Sequence, residues 1–328
     1  MSASTAGLRT GRSSLQSQLS ERPVIALVAV LLVLVAVIAV VRPGTVGPTW
    51  IGNTILFAAP LGIVAAGQTL VMLTGGIDLS VAAVITSAAY VAASQSYYGS
   101  VRAILLALAV GLGVGLVNGL GVAIFRVQPL IMTLGMSLVV SGSLLIYQLT
   151  TSHEGPPNVP DIARALGSGK VADLIPYSAF LWVAIAAIVM VGLRSTGLGR
   201  LMYAVGDNPV AVRLAGIRAW PVLLATYIIC GFLAGVAGLV LLGAIGGADL
   251  SLGDVYLLPS VAAVVIGGTS IYGGHGGYAG TLLGALILTV LSSFFTLIDA
   301  PDPVKQILYG LIVVLLAALY VRTAGDSG

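Results

Sequence analysis

Charged side chains make up only 8% of the 328 residues, where a soluble domain carries about 25%. A chain so poor in charge cannot clothe a water-facing surface, which excludes a soluble globular fold. Cysteine is nearly absent too. The single Cys230, set in an apolar run, rules out an internal disulfide and a cysteine metal site, and it reads as a packing residue. Histidine occurs twice, as His153 and His275, in two different loops. No nucleophile–base pair, metal-ligand spacing or P-loop is present, so neither enzymatic chemistry nor ATP hydrolysis by this chain is expected, and no cofactor. Gly-x-Gly patterns such as Gly111-Leu112-Gly113 lie in apolar stretches, where close helix packing explains them better than phosphate binding. The pI is near 9.1. The basic residues are scattered at loop ends, which fits control of membrane topology rather than nucleic-acid binding.

What the chain has in abundance is apolar length. Hydrophobic residues reach 58% with 43 glycines, and the mean hydropathy is +1.10. The expected fold is an all-α polytopic membrane protein. After a polar, Ser-rich tail over 1–23, apolar segments run over 24–41, 54–73, 79–94, 102–125, 130–150, 175–193, 220–243, 257–272, 278–297 and 304–321. That makes ten spans near the ~20 residues needed to cross the bilayer, with 79–94 and 257–272 short enough to be broken or re-entrant. The first is too long for a signal-peptide core and lacks a cleavage motif. The expected organisation is a cytoplasmic tail over 1–23, a transmembrane domain over 24–322 and a second cytoplasmic tail over 323–328.

With the N-terminus inside, nine Lys and Arg fall on the cytoplasmic side and five outside, together the 14 present. That bias places both termini in the cytoplasm. The longest outer segment, Thr151 to Leu174, carries Pro156, Pro157 and Pro160 and divides the chain into halves. Gly75-Gly76-Ile77-Asp78-Leu79-Ser80 follows the second span, and Gly246-Gly247-Ala248-Asp249-Leu250-Ser251 follows the seventh. Five spans apart, the two lie on opposite sides of the membrane, as an inverted repeat of spans two to five and seven to ten requires.

Two groups of residues are candidates for function. The stretch 194–219 is the longest central break and holds Arg194, Arg200, Arg213 and Arg218. In it, Gly206-Asp207-Asn208-Pro209 reads as a turn into a short helix. Gly206 permits the bend, Asp207 or Asn208 caps the first amides, and Pro209 opens the first turn. Gly216 ends the helix, near Arg213. Val212, Leu214 and Ile217 are expected to be exposed and to need a partner. The second group consists of polar residues inside or beside spans: Gln68, Thr69, Asp78, Asn118, Gln128 and Thr133. Polar groups in lipid are costly and mark solute paths by default, with interhelical hydrogen bonding the competing role for Asn118 and helix capping for Asp78.

The sequence resembles the ribose-type permease subunits of bacterial ABC importers for monosaccharides. The resemblance is carried by residues 65–81 (Ala-Ala-Gly-Gln-Thr-Leu-Val-Met-Leu-Thr-Gly-Gly-Ile-Asp-Leu-Ser-Val), Gly115-Leu116-Val117-Asn118-Gly119 and Gln128-Pro129-Leu130-Ile131-Met132-Thr133-Leu134-Gly135. Gly199-Arg200, Tyr203 to Asn208, Ala262 to Ser270, Gly273-Gly274, Gly276 and Gly280-Thr281 complete it. Leu130 and Leu257-Leu258-Pro259 depart from what many members carry at those places. The resemblance implies a ten-helix, type II importer permease in the bacterial inner membrane. It implies three partners: a cytoplasmic ATPase that binds the ATP, an extracytoplasmic sugar-binding protein, and a second permease copy or paralogue. It also implies that Asp207 to Ile217 is the coupling helix seated in the ATPase, and that the two halves rock between inward and outward states. Other cargoes for the same machine are a signalling furanose, a polyol, a nucleoside or an amino acid. An ion-coupled secondary transporter is disfavoured because no span holds a charged relay.

Overall fold

Two long helices buried over most of their length form the axis of the molecule. A computed structural model describes residues 23–151, 158–301, 303–311 and 314. The expected tails, the end of the 304–321 span and part of the outer segment lie outside the described residues. The helices are α1 (Pro23–Val41), α2 (Pro48–Leu73), α3 (Val81–Gln95), α4 (Ser100–Ala123), α5 (Pro129–Thr151) and α6 (Asp161–Ser168). After a hairpin of two-residue strands come α7 (Tyr177–Ser195), α8 (Gly197–Asp207), α9 (Pro209–Leu214), α10 (Trp220–Ile245), α11 (Leu257–Ile266) and α12 (Tyr278–Leu297). Seven of them, α1, α2, α4, α5, α7, α10 and α12, are long and apolar enough to cross a membrane. The two expected short spans are helices of 15 and 10 residues, α3 and α11. The expected span over 257–272 stops as a helix at Ile266, because Gly267 and then Gly268, at φ +84°, turn the chain out of it.

α2 and α10 pack on each other and on most of the rest. Proline opens both, at Pro48 and Pro221, where its missing N–H costs nothing. A glycine in the left-handed region follows both, Gly75 at φ +79° and Gly246 at φ +84°. Small residues let the backbones meet. Along α4, Gly111, Gly115 and Gly119 stand on one face at four-residue intervals. A Cβ at Gly111 would overlap the Gly231 carbonyl, one at Gly115 the Tyr227 carbonyl, and one at Gly119 would come within 3.1 Å of the Leu224 Cα. Gly113, between them, faces open space. On the far side of α2, Gly62 makes room for the Trp182 ring. Trp182 Nε1 donates to Tyr278 Oη at 2.6 Å, which donates to the Gly62 carbonyl at 2.7 Å, tying α7 and α12 to α2.

The repeated hexapeptides fold alike. Asp78 Oδ1 accepts from the Ser80 amide at 2.9 Å and from Ser80 Oγ at 2.6 Å. Asp249 Oδ1 accepts from the Ser251 amide and Oγ, both at 2.7 Å. The contacts around them are exchanged in the same way: α2 packs on α11 and α12, while α10 packs on α3 and α4. The end of α2 abuts α8, whereas the end of α10 abuts Ala163 and Gly167 of α6, so the two helices finish at opposite ends of the bundle, and past the second turn Gly253 comes back against the Ala82 carbonyl of α3. This is the geometry of an inverted repeat.

Candidate functional site

The central break is two helices rather than a loop with one. Thr196 starts α8 by accepting from the Gly199 amide at 3.0 Å while its hydroxyl donates to the Gly192 carbonyl at 2.6 Å. Helix α8 contains Gly197, Gly199 and Gly206, which lower its intrinsic propensity. Burial of Met202 and Val205 supplies the missing stability. The chain then bends at Asn208, whose Oδ1 accepts from the amides of Val210 at 3.1 Å and Ala211 at 2.9 Å. Asn208 is thus the cap of α9, with Pro209 in its first turn. Asp207 closes α8 instead. At the other end Gly216 stands at φ +77°, and Ile217 donates to the Val212 carbonyl at 3.1 Å.

Two expectations for this stretch need correction. Val212 is buried and packs inward, because a helix of six residues resting on the bundle must turn one side to it. Leu214 is 84% exposed, and Val210 and Ile217 are exposed beside it. The bend is not made by Gly206 either, which lies inside α8. Its role is close approach: a Cβ there would overlap the Leu73 carbonyl oxygen and stand 2.6 Å from the Gly274 amide nitrogen.

That contact belongs to a junction of three chain segments. Gly274 donates to the Leu73 carbonyl at 3.0 Å. A Cβ on Gly273 would lie 2.9 Å from both the Gly206 Cα and the Gly75 nitrogen, and one on Gly274 would lie 2.9 Å from the Asp207 Cα. The end of α2, the end of α8 and the loop between α11 and α12 therefore meet backbone to backbone. Tyr203 adds a second tie by donating to the Gly276 carbonyl at 2.9 Å. Burial raises its phenol above the ordinary range against the opposing pull of Arg194, so it stays a neutral donor. Helix α8 thus touches both halves of the repeat directly.

The six polar residues are placed as follows. Gln68, Thr69, Asp78, Asn118 and Thr133 are buried, and Gln128 is exposed at the start of α5. Asp78, Asn118 and Thr133 come together. Asn118 Nδ2 donates to Ser80 Oγ at 2.9 Å, and Ser80 donates in turn to Asp78. Thr133 Oγ1 accepts from the Leu79 amide at 3.0 Å and bridges to the Ile77 and Pro129 carbonyls. This network pins the α2–α3 turn to α4 and α5. The cap position of α3 is Ser80, with Asp78 two residues ahead of it. Thr69 stands apart, its hydroxyl donating to the Ala65 carbonyl at 2.7 Å and pairing with the Thr281 hydroxyl of α12 at 3.0 Å. Gln68 is different again: it is wholly buried, and among the described residues neither amide atom has a partner. Ser80, Tyr203 and the meeting of Gly206 with Gly273 and Gly274 escape sequence reasoning. The Asp-Leu-Ser repeat and the motifs that carry the resemblance include these residues but assign them no role.

Residues 50–317 match the family described as the branched-chain amino acid transport system permease component. The chain belongs to that permease family. The fructose import permease of Rhizobium meliloti is 32% identical over 319 residues, covering 95% of this chain and 89% of the relative. The ribose import permease of Escherichia coli K12 is 36% identical over 264 residues, with 78% and 80% covered. The galactofuranose transporter permease of the same organism is 35% identical over 269 residues, with 81% and 77% covered. No solved structure matches. The chain is a multi-pass membrane permease and a transport subunit, similar to those that import sugars.

Proposed function

We propose that this permease carries a monosaccharide or similar small polar solute into the cytoplasm as part of an ATP-driven importer. The cargo follows the relatives, which are named for ribose, fructose and galactofuranose and align over 77% or more of their length. The working assembly contains a cytoplasmic ABC ATPase, an extracytoplasmic sugar-binding protein and a second permease copy or paralogue. Both termini and 194–219 face the cytoplasm, as the Lys and Arg asymmetry favours.

The observation that carries the proposal is Leu214, 84% exposed at the end of a capped helix whose opposite side is anchored by Val212. An exposed leucine next to Arg213 is an apolar anchor rimmed by charge, suited to a groove in the ATPase. When ATP closes the ATPase pair, α9 moves with its seat, and α8 passes the movement to the glycine junction. There it acts on the end of α2 and on the loop that opens α12, tilting one half of the repeat against the other. The solute passes through weak polar contacts, for which Gln68 is the first candidate.

Leu214→Asp tests the coupling role. It places an unpaired charge in an apolar seat, at a cost of roughly 1–3 kcal/mol or more, and leaves the membrane domain untouched. The variant should insert normally but lose co-purifying ATPase and sugar-stimulated ATP hydrolysis. Wild-type levels of both would remove α9 from the coupling path.

A further inference from the structure

A cleft of about 740 Å³ opens beside α9, between the ends of α2 and α4 and the start of α10. It lies where spans end, at the boundary of the membrane. Arg126, Arg213 and Arg218 line it, and no acidic side chain does. Among the described residues, none of the three guanidiniums has a carboxylate or hydrogen-bonding partner, and all three are exposed. Arg126 is held at φ +56°, a left-handed conformation that a non-glycine residue adopts at a cost. Trp220 forms part of the wall at the start of α10, where no side chain caps the first turn. At the inner side is Tyr227, wholly buried, whose hydroxyl has no hydrogen-bond partner among the described residues. Gly76, also lining the cleft, leaves that hydroxyl room, since a Cβ there would stand 2.5 Å from it.

Three arginines without an acidic partner, an uncapped helix start and an unpartnered phenol converge on one concave site. Arginine forks and helix N-termini recognise phosphate oxygens, and basic pockets between spans hold phospholipid headgroups. We propose that this cleft binds a phosphate group, with the arginines as ion-pairing donors and the Tyr227 hydroxyl as a neutral one. Two sources supply that chemistry at a membrane boundary: the headgroup of an anionic phospholipid and free inorganic phosphate. The position of the cleft at the ends of spans favours the headgroup.

The test uses the full chain in phosphatidylcholine nanodiscs containing a minority of phosphatidylglycerol, with lipid retention read by native mass spectrometry. The variants are an Arg126→Gln/Arg218→Gln pair and Tyr227→Phe, which spare Arg213 of α9. Unchanged melting in phosphatidylcholine alone checks that both fold. Retention of phosphatidylglycerol by the wild type, weakened roughly tenfold or more in the double variant, is expected, with a smaller loss in Tyr227→Phe. Equilibrium dialysis with radiolabelled inorganic phosphate forms the second arm. Phosphate binding that depends on the same residues, without selective lipid retention, would assign the site to the free anion. If neither anion distinguishes wild type from the double variant, the proposal fails. It fails equally if the double variant loses only its ATPase, because the arginines would then serve a protein partner.

Discussion

Gly206→Ala isolates the glycine junction from everything else in the molecule. Inside a helix the change would ordinarily stabilise by up to about 1 kcal/mol, since alanine is the better helix former. Here the added carbon overlaps the Leu73 carbonyl oxygen and crowds the Gly274 nitrogen, and both are backbone atoms that cannot rotate away. Overpacking against such atoms costs about 1–3 kcal/mol. Parting Leu73 from Gly274 also loosens the 3.0 Å hydrogen bond between them, worth a further ~0.5–1.5 kcal/mol. The clash therefore outweighs the propensity gain, and the net effect is destabilising by about 1–3 kcal/mol. Gly113→Ala is the matched control: it is also helical, but with nothing within 4 Å of the new carbon. Scanning fluorimetry in detergent and solute-stimulated ATP hydrolysis by the assembled complex should fall for Gly206→Ala and hold or rise for Gly113→Ala. Melting and coupling for Gly206→Ala that match the control would show that the junction does not enforce backbone contact, and the reasoning would be refuted.

Gln68→Leu should raise the melting temperature, because it removes two buried, unpaired polar atoms worth ~1–3 kcal/mol, and it should slow uptake. Faster melting with normal uptake would return Gln68 to packing. Orientation is checked by placing single cysteines at Ser195 and Ser168, both exposed, in a Cys230→Ala background. An impermeant thiol reagent applied to intact cells should label position 168 and not 195; the reverse would invert the topology.

What the sequence revealed about this fold follows from how local each signal is. The long spans announce themselves because hydropathy is summed over about 20 residues. Asn208, Pro209 and Gly216 mark the ends of α9 because a cap depends on a few adjacent residues. The inverted repeat was visible as one hexapeptide because Asp78 with Ser80, and Asp249 with Ser251, make the same turn. The burial of Val212 was hidden, since which side of a six-residue helix faces the bundle is decided by tertiary packing. Helix α8 was hidden by its glycines, whose poor propensity is overridden by contacts with distant segments. The junction joins residues 73–75, 206–207 and 273–274; nothing in three separate glycine-bearing segments says that they touch. For Gln68, its burial without a partner depends on the Ala58–Leu73 part of α2 being enclosed on all sides.

The central claim is that transport by this permease is driven by ATP through an attached ATPase. Proteoliposomes holding the permease with its ATPase, loaded with ATP and given the sugar-binding protein outside, should accumulate radiolabelled ribose or fructose. Accumulation should stop when ATP, the binding protein or Leu214 is removed. Uptake that proceeds without ATP and follows an imposed proton or sodium gradient would contradict the account.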